Sequence, residues 1–417
     1  MTATAGAAAG TVVPDLALRR ALRKSERREQ LRAAALVLPL FLFLLATFIV
    51  PIGAMLGRAV FDREVGEILP HVTAELAAWD GRELPPDAAY AALIDDVRAA
   101  REAGTLASAA TRLNYDVAGF RSLLFATGRR IGGTIEGSPR EFLGAIDARW
   151  SDRETWAAIR RAAGPVTDFY LLAALDLRRN ATDTITGAPP EEAVFRNVLG
   201  RTLWISGVVT LVCLLLGYPV AYFIARQPAS RAAVLLFLVL LPFWTSLLVR
   251  TVAWVVLLQR EGILNNLLIS LGLVSEPVRM IFNRVAVYVA MVHVLLPFMV
   301  LPLYAVMKGI SPSYLRAASS LGAAPFTAFR RVYVPQTLPG VGAGCLMVFI
   351  QALGYYITPA LVGGADDQMI SYFIAFYASK TVNWGMAAAL SVMLLAATLA
   401  LYAVYDRLVG VDKMRLG

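Results

Sequence analysis

Six apolar runs, at roughly 33–57, 200–225, 232–258, 285–307, 340–361 and 385–409, constrain this chain more than any other feature. Crossing about 30 Å of hydrocarbon at about 1.5 Å per residue takes about 20 residues, and each run meets that length. Lipid offers a backbone no hydrogen bonds, so each run must be a helix. With 58% of its 417 residues hydrophobic, the chain is too apolar for an ordinary soluble surface. The expectation is an all-α polytopic membrane protein.

Basic residues at the run ends set the orientation. Arg19, Arg20, Arg23, Lys24, Arg27, Arg28 and Arg32 precede the first run and predict a cytoplasmic amino-terminal segment over 1–32. Six spans return the tail at 411–417, with Lys413 and Arg415, to that side, together with Arg226, Arg231 and a loop over 308–335. The first run exceeds a signal-peptide core and no small-residue cleavage pattern comes after it, so it reads as an uncleaved span over 33–60.

Residues 61–195 then lie outside. They hold 21 of the 30 acidic residues and 15 of the 39 lysines and arginines, a net charge of −6 against +15 for the remainder. The overall +9 therefore reflects topology and attraction to anionic lipid, with no nucleic-acid partner implied. Segments 85–103, 139–163 and 165–179 have helical spacing, with breaks at Gly132-Gly133, Ser138-Pro139 and Gly164-Pro165. A mainly helical periplasmic inserted domain is predicted.

Enzyme chemistry finds little support. The lysines are Lys24, Lys308, Lys380 and Lys413, none preceded by Gly, so no phosphate-binding loop is present. His71 and His293 are the only histidines, too few for a zinc motif, and His293 on an apolar helix reads as bonded to a neighbouring helix. Cys213 and Cys345 sit in apolar runs and read as packing residues.

The stretch between the fourth and fifth runs is built differently. Ser311-Pro312 supplies an N-cap with Pro at the first helical position, and Gly322 a left-handed stop, predicting a helix of about ten residues. Pro325 opens a second helix through Phe326, Phe329 and Val332, before Pro335 and Pro339 redirect the chain into the fifth span. Tyr314, Leu315, Leu321, Phe326 and Phe329 need burial, either in lipid headgroups or in a partner's groove. The small pair Ala317-Ala318 suits close backbone approach.

Arg316-Ala317-Ala318, Gly322, Phe326, Val332-Tyr333-Val334-Pro335 and Pro339-Gly340 together resemble the cytoplasmic coupling loop of ABC importer permeases. Arg316 stands where that family usually has Glu, and Val334 where it has Leu. Pro242-Phe243-Trp244-Thr245-Ser246, Leu248-Val249-Arg250, Ala253-Trp254, Gly262, Asn265, Leu296-Pro297-Phe298-Met299, Gly354 to Pro359, Gly363-Gly364 and Asn383-Trp384 are similar to the spermidine/putrescine-type branch. The resemblance covers residues 198–409.

It implies six transmembrane helices of the ABC importer (MetI-like) type, with a five-helix permease core over 196–410. The implied function is the permease subunit of an ATP-driven, binding-protein-dependent importer of small solutes, polyamines or a related molecule, in the bacterial inner membrane. The implied partners are a cytoplasmic ABC ATPase dimer, a second permease that is either a copy or a different chain, and a periplasmic substrate-binding protein. ATP and magnesium belong to the ATPase, and this chain needs no cofactor or metal. Tyr314, Leu315, Arg316, Ala317, Ala318, Leu321, Gly322, Phe326, Phe329 and Pro335 would form the ATPase-coupling loop. Arg316 in place of Glu implies either an acidic residue on the cognate ATPase or a solvent-facing position at which the exchange is neutral.

For the translocation pathway the candidates are Phe243, Trp244, Thr245, Ser246, Arg250, Trp254, Tyr355, Tyr356 and Thr358. A straight third span puts Arg250 roughly 7 Å outward of its centre, where it either lines the path or snorkels to headgroups. Gly340 and Gly344 permit close helix packing. The alternative, a secondary carrier without an ATPase partner, calls for broken midplane helices, which the sequence does not clearly show.

Overall fold

The computed structural model describes residues 32–132 and 137–409. The basic segment before Arg32, the 411–417 tail and Gly133 lie outside the described residues. Five helices among those described are long and apolar enough to cross a bilayer, and two further apolar stretches, 229–244 and 247–270, meet at 90° as a broken span or a re-entrant loop.

The first helix, α1 (Arg32–Gly57), includes one π turn at Leu45–Ile49. Pro51 has no N–H to give to Thr47, and the wider turn just before it absorbs the gap.

In the second unit the chain after α1 enters a group of short helices: α2 (Glu64–Ile68), α3 (Pro70–Leu76), α4 (Asp87–Glu102), α5 (Leu106–Asp116), α6 (Phe120–Arg130), α7 (Pro139–Ile146), α8 (Arg153–Arg161) and α9 (Phe169–Ala174). A hairpin of β1 (Leu177–Arg179) and β2 (Ile185–Gly187) comes next, Leu177 opposite Gly187. Local chemistry explains the starts. Ser138 and Glu141 form a reciprocal capping box ahead of α7, with Pro139 in its first turn. Asp152 accepts the Glu154 N–H to open α8. The core is aromatic: Trp150 and Trp156 are fully buried with ring centroids 5.3 Å apart, and Tyr90 sits 4.4 Å from Trp156. Both indoles are satisfied, Trp150 donating to Thr127 Oγ1 at 3.0 Å and Trp156 to the Trp150 carbonyl at 2.9 Å.

Two segments differ from their helical expectation. Residues 139–163 divide because Asp147 and Asp152 each turn the chain into an extended conformation and cap the helical turn that begins after them. Residues 165–179 contain only α9, since Pro165-Val166 pairs with Phe61 in an extended bridge and Asp176 takes φ 56°, ending the helix and starting β1.

The spans continue as α10 (Phe195–Ala225), α11 (Ala229–Leu240), α12 (Leu247–Leu258), α13 (Ile263–Ser270) and α14 (Arg284–Gly309). After these come α15 (Pro312–Ser320), α16 (Pro325–Leu353, with a π turn at Phe329–Tyr333), α17 (Ile357–Val362), α18 (Ile370–Ser379) and α19 (Trp384–Val409). Helices α10, α14 and α16 share one apolar core around Val209, Cys213, Met299, Val300 and Val348. Small residues let α16 approach α14 closely. A Cβ on Gly340 would lie 3.1 Å from the Pro302 carbonyl oxygen, and one on Gly344 2.7 Å from Met299 Sδ.

Three expectations need correction. The 232–258 run is not one helix: the last turn of α11 tightens to 3₁₀ geometry at Leu241–Trp244 around Pro242, and Thr245 and Ser246 are extended (ψ 147° and 144°) before α12 starts. A right-angle break is thus present that the sequence did not reveal, and the straight-helix depth assigned to Arg250 does not hold. The 340–361 run is shifted, because the helix spans Pro325–Leu353 and stops there. Pro335 and Pro339 do not redirect the chain; they lie inside α16, where the preceding π turn accommodates the missing donor of Pro335.

Candidate functional site

The polar connection between α14 and α16 is one short helix held at both ends by its own sequence. Ser311 Oγ accepts the Ser313 N–H, and Pro312 occupies the first turn, where a backbone donor is not needed. At the other end Gly322 has φ 83°, with Ala323 N–H on the Ala318 carbonyl and Gly322 N–H on that of Ser319. This is a Schellman stop, a left-handed position that glycine adopts without strain. Helix α15 therefore has two faces. Leu315 packs inward with Phe329 on the membrane core, while Tyr314 (54%), Leu321 (89%) and Phe326 (72%) are exposed. Arg316 and Ala317 are exposed and Ala318 is half-buried. Arg316 makes no ion pair among the described residues. Phe326, Phe329 and Pro335 belong to the first turns of α16, not to a loop.

Beneath α15 lies a support that sequence reading missed. The Phe329 and Tyr333 rings stack at 5.6 Å, Tyr222 meets both edge-on at 5.3 Å, and the Arg226 guanidinium sits 4.0 Å over the Tyr222 ring. Lys308 donates to the Ala225 and Gln227 carbonyls, closing the end of α10 against the end of α14. The aromatic pair four residues apart at Phe329 and Tyr333 was the available signal.

A second group surrounds the break in the third span. Trp254 Nε1 donates to His293 Nδ1 at 3.2 Å, joining α12 to α14. Thr251 and Thr358 share a buried hydroxyl contact of 3.2 Å, joining α12 to α17. Arg250, in the first turn of α12, lies within electrostatic reach of His293 and Tyr355, yet its Nε and Nη1 are buried without a hydrogen-bond partner among the described residues. The structure thus brings Arg250, Trp254, Tyr355 and Thr358 together and adds Thr251 and His293. Phe243 stands apart against Phe298 at 5.0 Å. Trp244 is 80% exposed, and Thr245, Ser246 and Tyr356 are also exposed. Gly262 and Asn265 are structural: carbonyl oxygens would crowd a Cβ on Gly262 at 2.6 Å, and buried Asn265 bridges the Gln259 carbonyl and both backbone polar groups of Val278.

The short-helix group is joined to the spans through a third core. Tyr170 and Ala174 of α9 pack with Phe195 and Val198 of α10, Ile370 of α18, and Met386 and Leu390 of α19. Asp176, buried to 6% exposure, accepts from the Phe195 and Arg196 N–H groups at 2.9 and 2.8 Å. Val194 provides α10 with no side-chain cap, so the cap comes from Asp176 instead.

Residues 214–411 match the family described as binding-protein-dependent transport system inner membrane component. The spermidine/putrescine transport system permease protein PotB of Haemophilus influenzae is 39% identical over 214 residues, which are 51% of this chain and 75% of that protein. PotB of Escherichia coli K12 is 38% identical over 203 residues, 49% and 74% of the two chains. The inner membrane ABC transporter permease protein YdcU of the same organism is 31% identical over 228 residues, 51% and 72%. The shared stretch is a smaller part of this chain than of any of these relatives, so this chain is the longer. At this level of identity and coverage, the chain belongs to the family of membrane-spanning permease subunits of binding-protein-dependent ABC importers.

Proposed function

We propose that this permease is one of two membrane halves of an importer of small solutes, driven by a cytoplasmic ATPase dimer that grips α15. The observation carrying this reading is a short helix, capped at both ends, that leaves Tyr314, Leu321 and Phe326 uncovered beside the close-approach pair Ala317-Ala318. A groove on a partner would cover those side chains, and rigid-body motion of the partner would reach α10, α14 and α16 through the Tyr222, Phe329 and Tyr333 cluster. In this arrangement both ends of the chain are cytoplasmic and residues 61–195 face a periplasmic binding protein that delivers substrate. Arg316 meets an acidic residue of the ATPase.

A polyamine is the first substrate candidate, because relatives named for spermidine and putrescine are 38–39% identical. A second reading, a neutral or anionic solute, is favoured by the unpartnered Arg250 guanidinium beside the span-three break. Co-purification tests the coupling role. The tagged chain retains its ATPase, and a triple change at Ala317, Ala318 and Gly322 loses it; equal retention would refute the docking of α15. Uptake of labelled spermidine by the reconstituted complex, compared with uptake of neutral and anionic solutes, decides the substrate class.

A further inference from the structure

Arg112 of α5 is 2% exposed, among the least accessible charged residues described. Its Nε donates to Asp62, and its guanidinium lies over the Phe169 and Tyr170 rings at 4.8 and 5.0 Å. Asp62 is already committed elsewhere, accepting from the Tyr170 hydroxyl at 3.2 Å and the Glu64 N–H at 3.2 Å. Arg112 Nη1 has no hydrogen-bond partner among the described residues. A guanidinium carries five donors, and one left buried and unpaired has lost its water without gaining an acceptor. An acceptor from outside the protein would remove that cost.

Space for one exists beside it. Arg112 lines a cavity of about 340 Å³ whose wall also holds Arg58, Glu64, Ser108, Tyr115 and Trp384. Two arginines, Arg58 and Arg112, and two carboxylates, Asp62 and Glu64, line it; Asp62 is taken by Arg112 Nε and the Tyr170 hydroxyl, which leaves Glu64 to face Arg58, the free edge of Arg112 and the hydroxyls of Ser108 and Tyr115. The cavity lies at the end of a span, since Trp384 opens α19, and Arg58 on its wall follows Gly57 in the chain. Arginine and tryptophan at span ends mark the headgroup level of a bilayer. Exposed Phe61 and Val382, which also line the cavity, give it an apolar rim.

We infer that this cavity binds a phosphate-type oxyanion, and that its position assigns the phosphate to a phospholipid headgroup. The phosphate would take Arg58 and the free edge of Arg112. Glu64 would accept from the ammonium of a phosphoethanolamine group. The site lies apart from α15 and from the Arg250 cluster, and it does not depend on which solute is carried.

Native mass spectrometry of the full chain, released from phosphatidylethanolamine nanodiscs into mild detergent, tests the site. The wild-type chain should keep one tightly held phosphatidylethanolamine, with occupancy at least tenfold lower in Arg58→Gln. In Glu64→Gln the preference should move toward phosphatidylglycerol. Ser108→Val, on the rim and outside the charge cluster, should weaken retention without unfolding the chain, which separates loss of the site from misfolding. A second arm titrates the delipidated chain with inorganic phosphate and follows tryptophan fluorescence, with Trp384→Phe as the control. A phosphate response without lipid retention supports the oxyanion site and assigns it to a soluble ion. Equal lipid retention in wild type and Arg58→Gln, with no phosphate response, overturns the inference.

Discussion

Replacing Asp176 should loosen the start of α10 and, with it, the seam between the short-helix group and the spans. The Asp176 carboxylate makes two hydrogen bonds to Phe195 and Arg196 N–H groups that α10 cannot satisfy itself, in a site 6% exposed. A hydrogen bond to a charged group contributes about 1.5–3 kcal/mol, and a carboxylate at a helix start about 0.3–1 kcal/mol more. Asp176 also sits at φ 56°, which costs an alanine roughly 1–2 kcal/mol. Water reaching the freed N–H groups recovers part of this, so Asp176→Ala should cost about 3 kcal/mol locally. At about 1.36 kcal/mol per factor of ten, amide exchange at Phe195 and Arg196 should speed up about 100-fold. Asp176→Asn keeps one acceptor and tolerates the left-handed backbone, so its effect should be about tenfold. Hydrogen-exchange mass spectrometry of the full chain in nanodiscs reads both, with peptides from α4 as an internal reference. Exchange in Asp176→Ala within twofold of wild type over 194–200 would show that the cap is not what holds α10 in place.

Other consequences attach to single positions. Gly322→Ala meets no neighbour within 4 Å but must hold φ 83°, so it should cost about 1 kcal/mol and lower ATPase retention several-fold in a pull-down. Gly340→Ala meets the Pro302 carbonyl oxygen at 3.1 Å and Gly344→Ala the Met299 carbonyl oxygen at 3.2 Å, so each should cost about 1–3 kcal/mol of overpacking, read as a drop in melting temperature; an unchanged melting temperature in both would show that α14 and α16 can separate freely. Hydrogen bonds from the Arg149 side chain and backbone hold the Asp147 carboxyl below its ordinary value of 3.8. That stabilisation is complete above pH 3.8 and is lost as pH falls through the lower folded value. The stability gap between wild type and Asp147→Asn in denaturant melts should accordingly close as the pH is taken below 3.8.

The capped helix between α14 and α16 was the most legible part of the chain. Ser311-Pro312, Gly322 and Pro325 act through their own backbones, and α15 and α16 start and stop where those residues dictate. The spans were legible because twenty apolar residues have no other stable use in a bilayer. The break in the third span was not. Proline also occurs inside unbroken helices, as Pro297 and Pro302 do in α14, so Pro242 by itself did not signal a break. Only the packing of α12 on α17 and α14, through Thr251–Thr358 and Trp254–His293, makes the right-angle turn stable. Residues 165–179 misled for a related reason: their alanine and leucine content favours helix locally, while the bridge to Phe61 and the left-handed Asp176 divide them.

By itself, the sequence determined the polytopic class of protein, the capped helix between α14 and α16 and the branch of permeases it resembles. These depend on composition, residue spacing and local backbone chemistry. Only the tertiary structure decided which groups meet across distance: Asp176 with the start of α10, Arg112 with Asp62 and the cavity beside it, Arg250 with His293 and Tyr355, and Tyr170 against Gly385. Such pairings carry no periodic signature along the chain, because a hydrogen bond or a packing contact is set by distance in space, and residues far apart in sequence come within that distance only when the helices are packed.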